Sequence, residues 1–159
     1  MVTYVKGSAT EPVGDGPKII AHVCNNIGRW GAGFVLALNE LSILPRANYL
    51  RAYQKEVVEW GNSRLRLGSV FLVDVRKDLY VANMIAQSGV RSANNPVPLN
   101  YEALEVCLDR VARDAEFLNA TVHMPRIGCG LAGGKWDVVE SIINRVLTLR
   151  DIDVTVYDL

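Results

Sequence analysis

Two glycine-rich turns hold the residues of this chain best suited to chemistry. The first reads Asn25-Asn26-Ile27-Gly28-Arg29-Trp30-Gly31-Ala32-Gly33-Phe34. The second reads Met124-Pro125-Arg126-Ile127-Gly128-Cys129-Gly130-Leu131-Ala132-Gly133-Gly134-Lys135-Trp136. Each follows an apolar run and precedes a helix-like segment. A strand that turns on glycine into a helix leaves free backbone N–H groups at the positive end of the helix dipole, which favours phosphate. Gly31 and Gly33 have no Cβ to hold an anion away from the backbone. Two such turns in one small domain suggest a diphosphate gripped from both sides. Neither turn contains GxGxxG with its ribose-binding acid, and neither contains GxxxxGK[ST]; Lys135 lacks the Ser or Thr that must follow it.

The catalytic options are few. Asn25 stands where the apolar run before the first turn ends, and its amide can both donate to and accept from a sugar hydroxyl. His22 and His123 fall inside expected strands, where a satisfied core role outweighs that of a base. No serine adjoins a histidine, and no G-x-S-x-G elbow exists. Cys129 stands where a helix N-terminus can lower a thiol pKa, although its size suits packing. Trp30 and Trp136 flank the two turns; Trp136 is expected to pack, and Trp30 either packs or closes over a ligand. Spacing alone brings no two carboxylates together.

The positioning elements alternate. Residues 3–6, 18–24, 69–75, 79–85, 121–125 and 153–158 read as strands, rich in β-branched residues and bounded by turn formers. Residues 34–39 read as a short buried helix. A second helix starts at Pro45 and runs to about Trp60, ended by Gly61-Asn62. Asn100 caps a helix through about Leu118, with Leu104, Leu108, Val111 and Ala115 inward. Trp136 to Leu149 forms a helix with Val139, Ile142, Ile143 and Val146 inward. Arg76-Lys77-Asp78 joins two strands as an antiparallel hairpin, so the sheet is mixed. Residues 87–98 form a long polar loop, and loops of that length are often functional. Both glycine turns lie at carboxyl ends of strands, where ligands of such sheets sit.

Bulk properties bound the rest. The 159 residues suit one domain, residues 1–159, and half are hydrophobic. Seventeen basic residues balance seventeen acidic ones, which removes a broad electrostatic footprint for nucleic acid or membrane but leaves a local basic pocket open. Three widely spaced cysteines without a CxxC pair argue against zinc or disulfides. No metal or cofactor is expected. No signal-peptide core and no apolar run of roughly 20 residues is present, so the expectation is a soluble, cytoplasmic, monomeric protein without a membrane partner.

Three segments carry a resemblance to a known family. Residues 19–25 with Trp30-Gly31-Ala32-Gly33, residues 124–131, and Gly7-Ser8-Ala9-Thr10 resemble the ligand-binding motifs of macrodomains, the ADP-ribose-binding fold, in a chain similar along its whole length. The wording is most similar to the branch containing terminal ADP-ribose protein glycohydrolase and ADP-ribose-1''-phosphate phosphatase. The resemblance implies a three-layer α/β/α fold with a mixed, roughly six-stranded central sheet. It implies adenine near Ser8 and Ala9, and distal ribose near Asn25. It implies diphosphate against Trp30, Gly31, Ala32, Gly33 and Phe34 on one side and Ile127, Gly128, Cys129, Gly130 and Leu131 on the other. Its expected partners are ADP-ribose and mono-ADP-ribosylated proteins, with ADP-ribosylated nucleic-acid ends as a further option. Some hydrolytic members pair a nucleophilic lysine with an aspartate; those positions correspond here to Gln87 and Ala132, which does not support a covalent lysine mechanism. Asn25 and Gln87 are then the catalytic candidates, holding the distal ribose and a water while orientation supplies the acceleration. The implied activity is removal of mono-ADP-ribose from glutamate or aspartate. The alternatives are dephosphorylation of ADP-ribose 1''-phosphate and a non-catalytic binding module.

Overall fold

The computed structural model describes residues 2–159. Six strands form one sheet: β1 (Val2–Lys6), β2 (Lys18–Asn25), β3 (Val70–Arg76), β4 (Leu79–Gln87), β5 (Thr121–Met124) and β6 (Val154–Asp158). Their order across the sheet is β1-β6-β5-β2-β4-β3. All neighbours are parallel except the β3–β4 hairpin, so the sheet is mixed as expected. Four helices cover it: α1 (Val35–Leu41), α2 (Leu44–Tyr53), α3 (Tyr101–Leu118) and α4 (Trp136–Val146).

The two faces of the sheet are read directly from β2. Ile19 and Ala21 join the cluster built by α3 and α4, around Leu104, Leu108, Val139 and Ile143. Ile20, one residue out of phase, packs with Leu38 of α1, and Cys24 packs with Tyr49 of α2. Successive strand side chains point to opposite faces, so this alternation requires a helical layer on each side. The central strands are apolar on both faces for that reason. Asn100 caps α3 as the sequence predicts: its Oδ1 accepts the Ala103 N–H at 2.9 Å. Asn119 ends α3 in the left-handed region.

Three helical expectations change. The helix begun at Pro45 leaves α geometry after Tyr53 and continues as a π-helical turn, Gln54–Glu59, in which the Trp60 N–H reaches back to the Lys55 carbonyl. The expected buried helix at residues 34–39 buries only one side: Val35 and Leu38 face the sheet, while Leu36 is exposed. The fourth helix ends at Val146 rather than Leu149, and a 3₁₀ turn, Thr148–Arg150, follows it.

Candidate ligand site at the carboxyl edge of the sheet

A cavity of about 580 Å³ opens along the carboxyl ends of β5, β2 and β4. That volume lies in the ordinary range for a small-molecule site. Three adjacent strands span about 10 Å, and the cavity reaches across that width of the sheet edge. Both glycine turns form its walls, the first with residues 29–34 and the second with residues 125–128 and 130–132. They lie close together: a Cβ added at Gly33 would stand 3.4 Å from Leu131 Cδ1.

The first turn is held by a hydrogen-bonded knot. Asn25 Oδ1 accepts the N–H groups of Ile27 and Arg29, each at 3.1 Å, and Asn25 Nδ2 donates to the Arg29 carbonyl at 2.6 Å. Tyr49, fully buried on α2, donates its hydroxyl toward Asn25 and accepts the Gly28 N–H at 3.0 Å. Gly28 has φ +78° and sits against the Tyr53 ring, where a Cβ would come within 2.8 Å. The loop is therefore shaped by its own asparagine and by α2. Beyond it, the N–H groups of Gly31, Ala32, Gly33 and Phe34 have no acceptor among the described residues. Trp30 both packs and lines the cavity: Nε1 donates to Asn39 Oδ1 at 2.8 Å, and the ring packs on His22 and Tyr49.

The second turn is built differently. Gly134 N–H bonds the Gly128 carbonyl at 2.7 Å and closes the loop on itself. Gly128, at φ +73°, sits against Leu99, and Gly133 sits against the Pro96 carbonyl. These contacts seat the second turn on residues 96–99 of the long loop, and Leu99 N–H donates to the Ala132 carbonyl at 3.1 Å. Gly128, Cys129 and Leu131 keep N–H groups without a protein acceptor among the described residues. The N-terminus of α4 does not reach the cavity, whose lining ends at Ala132; Lys135 N–H is taken by the Tyr101 hydroxyl. The expected cradle at that helix end is thus a loop cradle instead. Gly31 and Gly130 differ from the other loop glycines. Each has ordinary φ, each lines the cavity, and a Cβ on either meets no protein atom within 4 Å. Packing does not require glycine at these two positions.

The charge in the cavity has one sign. Arg29, Arg91 and Arg126 line it, and no carboxylate does. Arg126 is held in a bidentate pair with Asp158, at 2.7 and 3.0 Å, and lies over the Tyr4 and Trp136 rings. Trp136 packs in this group, as the sequence predicts, with its Nε1 donating to the Tyr4 hydroxyl.

The sequence-predicted residues fall into place unevenly. Asn25, Trp30, Gly31, Ala32, Gly33, Phe34, Gln87, Ile127, Gly128, Gly130 and Leu131 all border the cavity. Ser8, Ala9 and Cys129 do not line it. Ser8 Oγ is engaged with Thr10 Oγ1 at 2.7 Å, and Ala9 is buried. Cys129 Sγ turns toward the Ile127 carbonyl, and burial raises rather than lowers its thiol pKa. Asn25 is committed to shaping the first turn, so its carboxamide oxygen is not free for a ligand. Gln87 is freer: Nε2 donates to the Gly89 carbonyl at 3.0 Å, and Oε1 has no partner among the described residues.

The histidines are core residues, as expected. His22 bonds Asn83 at 2.5 Å, and His123 bonds Thr121 and Tyr157, each at 2.7 Å. Burial lowers the pKa of each to about 4, so both are neutral near pH 7. Sequence reasoning missed Arg91, Asn26 and Tyr49. Asn26 ties the first turn to the long loop through Gly89 N–H, accepted at 2.9 Å. Its place in the first turn was visible; its partner 63 residues away was not.

Comparison with known proteins agrees with this geometry. No family model matches the chain. A solved macrodomain protein from Streptomyces coelicolor is 45% identical and superposes with a TM-score of 0.86, covering 100% of this chain and 99% of that one. The human ADP-ribose glycohydrolase OARD1 is 29% identical over 160 residues, covering 99% of this chain and 91% of that protein. The chromodomain-helicase-DNA-binding protein 1-like of Danio rerio is 32% identical over 163 residues. The match takes in 98% of this chain but spans only 15% of that relative's length.

Proposed function

The chain belongs to the macrodomain family, and from that premise we propose that it binds ADP-ribose along the carboxyl edge of its sheet and releases it from glutamate or aspartate side chains. One observation carries the reading. Two loops with backbone N–H groups unsatisfied among the described residues border one cavity that is lined by three arginines and by no described carboxylate. A dianionic diphosphate suits that environment, because loop N–H groups and guanidinium groups both favour negative charge. Gly31 and Gly130 leave room for phosphate against the main chain on opposite walls. The name of the human relative, an ADP-ribose glycohydrolase, points to the same ligand and to hydrolysis.

The reaction asks little acid catalysis of the protein. Water attacks the anomeric carbon of the distal ribose, and a new C–O bond forms. The bond from that carbon to the ester oxygen breaks, and the carboxylate leaves as a stable anion that needs no general acid. The attacking water gives one proton to solvent and keeps the other as the new anomeric hydroxyl. In this reading Gln87 Oε1 accepts a hydrogen bond from that water; Nε2 is held by the Gly89 carbonyl, and Oε1 has no partner among the described residues. By the family resemblance, Gln87 and Ala132 take the positions of the lysine and aspartate used by some members, and neither can play that part, so orientation and electrostatic stabilisation are left as the sources of acceleration.

The test is a paired assay. Calorimetry measures ADP-ribose affinity, and chromatography follows release of ADP-ribose from a protein modified on glutamate and dephosphorylation of ADP-ribose 1''-phosphate. Release from the modified protein alone supports the reading. Tight binding without turnover of either substrate leaves a binding module, which the commitment of Asn25 to its own loop would favour. Absence of binding removes the site assignment.

A further inference from the structure

Charge is partitioned across this molecule. The formal net charge is zero, yet the arginines found in ion pairs, Arg110, Arg113, Arg126, Arg145 and Arg150, lie on α3, on α4, beside α4 and at Asp158. Seven arginines make no ion pair among the described residues: Arg46, Arg51, Arg66 and Arg76, and also Arg29, Arg64 and Arg91, which are all exposed and lie close together. These last three come from separate segments that meet at one buried residue. Asn26, 4% exposed, accepts the Leu65 N–H at its carbonyl and the Gly89 N–H at its Oδ1, each at 2.9 Å. Arg64 adjoins the first of these contacts and Arg91 follows the second by two residues. Arg29 is three residues along from Asn26 itself. A methyl group on Gly89 would lie 3.7 Å from Arg64 Nη1, so the guanidinium reaches the base of the long loop. Arg29 and Arg91 also line the cavity.

Unpaired like charges gathered at one rim cost stability, and among the described residues no carboxylate stands within ion-pair distance of any of the three. We propose that Arg29, Arg64 and Arg91 form a docking rim for an acidic peptide segment, reading carboxylates that flank the modified side chain. The proposal rests on the ADP-ribose reading above and names its substrate class: an acidic segment of protein. Arg29 and Arg91 stand at the β2–β4 end of the cavity, with Asn25 and Gln87, while Arg126 marks the opposite, β5 end. A carrier attached at the Gln87 end therefore leaves the cavity between the free arginines. Guanidinium groups match carboxylates with two parallel hydrogen bonds. A nucleic-acid strand has the same sign of charge, but it calls for a basic stripe that follows many phosphates. Here the nearby π-helical turn carries Glu56 and Glu59, which interrupt any such stripe.

The experiment uses two peptides, each carrying one ADP-ribose on a non-hydrolysable link at a glutamate position, one flanked by Asp and Glu and the other by Asn and Gln. Fluorescence anisotropy gives both affinities across a salt series. The acidic peptide is expected to bind roughly tenfold more tightly at low salt, with the difference shrinking as salt rises. Arg64→Gln, outside the cavity lining, is expected to reduce that preference several-fold while leaving the affinity for free ADP-ribose unchanged. Equal affinity for the two peptides overturns the proposal, as does an Arg64→Gln variant that keeps the full preference. Tighter binding of a single-stranded oligonucleotide ending in ADP-ribose also overturns it, in favour of a nucleic-acid carrier. Normal affinity for free ADP-ribose with no flank preference removes this inference alone; no affinity for free ADP-ribose removes the function reading and this inference together.

Discussion

Tyr49 and Asn25 are joined twice: the Tyr49 hydroxyl lies 2.7 Å from the Asn25 carbonyl oxygen and 2.8 Å from Asn25 Oδ1. A side chain buried in α2 thereby fixes the last residue of β2 and the loop that follows it. The same hydroxyl receives the Gly28 N–H, so both its donor and its acceptor capacity are used. Tyr49→Phe keeps the ring and removes all three contacts. The variant is expected to lose about 1–3 kcal/mol of stability, because buried groups are left without partners. It should also bind ADP-ribose more weakly, since the first turn loses its anchor. Urea unfolding and calorimetry read the two effects; wild-type affinity would show that the turn holds its shape without Tyr49.

The loop glycines should separate into two classes. Gly128→Ala introduces a Cβ at φ +73° and 2.7 Å from Leu99, so it is expected to destabilise the fold by about 1–3 kcal/mol. Gly130→Glu meets no protein atom and has ordinary φ, so its stability should stay within about 0.5 kcal/mol of wild type. Its carboxylate would oppose the diphosphate, and ADP-ribose affinity should fall by roughly tenfold or more. A stable Gly130→Glu protein with unchanged affinity would contradict the two-wall site.

Gln87→Ala separates turnover from binding. If Gln87 Oε1 positions the attacking water, turnover of an ester-linked substrate should drop by roughly tenfold to hundredfold, with ADP-ribose affinity changed by less than about twofold. Parallel losses in both would make Gln87 a binding residue instead. Asn25→Ala should behave unlike Gln87→Ala, lowering stability and affinity together, because its carboxamide holds the loop.

Acid should destabilise this fold through its two core histidines. His22 and His123 have folded-state pKa values of about 4, below the ordinary 6.5. Between those values the unfolded chain binds more protons than the folded one, so stability rises with pH across that window. As pH falls from about 6.5 toward 4, up to about 3 kcal/mol per histidine is lost, and below 4 this contribution stops changing. Urea midpoints measured at pH 7 and pH 5 test the sign. His22→Phe and His123→Phe should each flatten the dependence.

Much of this architecture was legible because its signals are local. Six strands and four helices follow from apolar runs, β-branched residues, Pro45 and Asn100, and each begins within about two residues of its expected position. The two turns were legible because glycine after an apolar run marks a strand end. What escaped depends on distant partners. Asn25 reads as a ligand residue until Tyr49 is seen to share its oxygen. Cys129 reads as a packing residue with an activated thiol as the other option, and the second turn, resting on residues 96–99 away from the start of α4, removes that option. Arg29 and Arg91 carry no signal in the sequence, because lacking a carboxylate neighbour is a property of the folded surface and not of the chain. The π-helical turn after Tyr53 left no composition signal at all.

The pairing of β2 with β4 slips at its last step: Cys24 faces Ile85, but Asn25 faces Gln87, and Ala86 is passed over. Side chains alternate along a strand, so this single skipped residue works as a phase shifter. It sets two carboxamides side by side at the cavity where an unbroken ladder would have set a methyl group beside one of them. The sheet would tolerate losing the slip, since the apolar residues below it keep their register. Nothing below the last rung would record the change, and the site would lose its neighbouring amides. In this fold, one residue of strand length separates a sheet edge that only closes the core from one where Asn25 can shape the first turn beside Gln87 at the cavity.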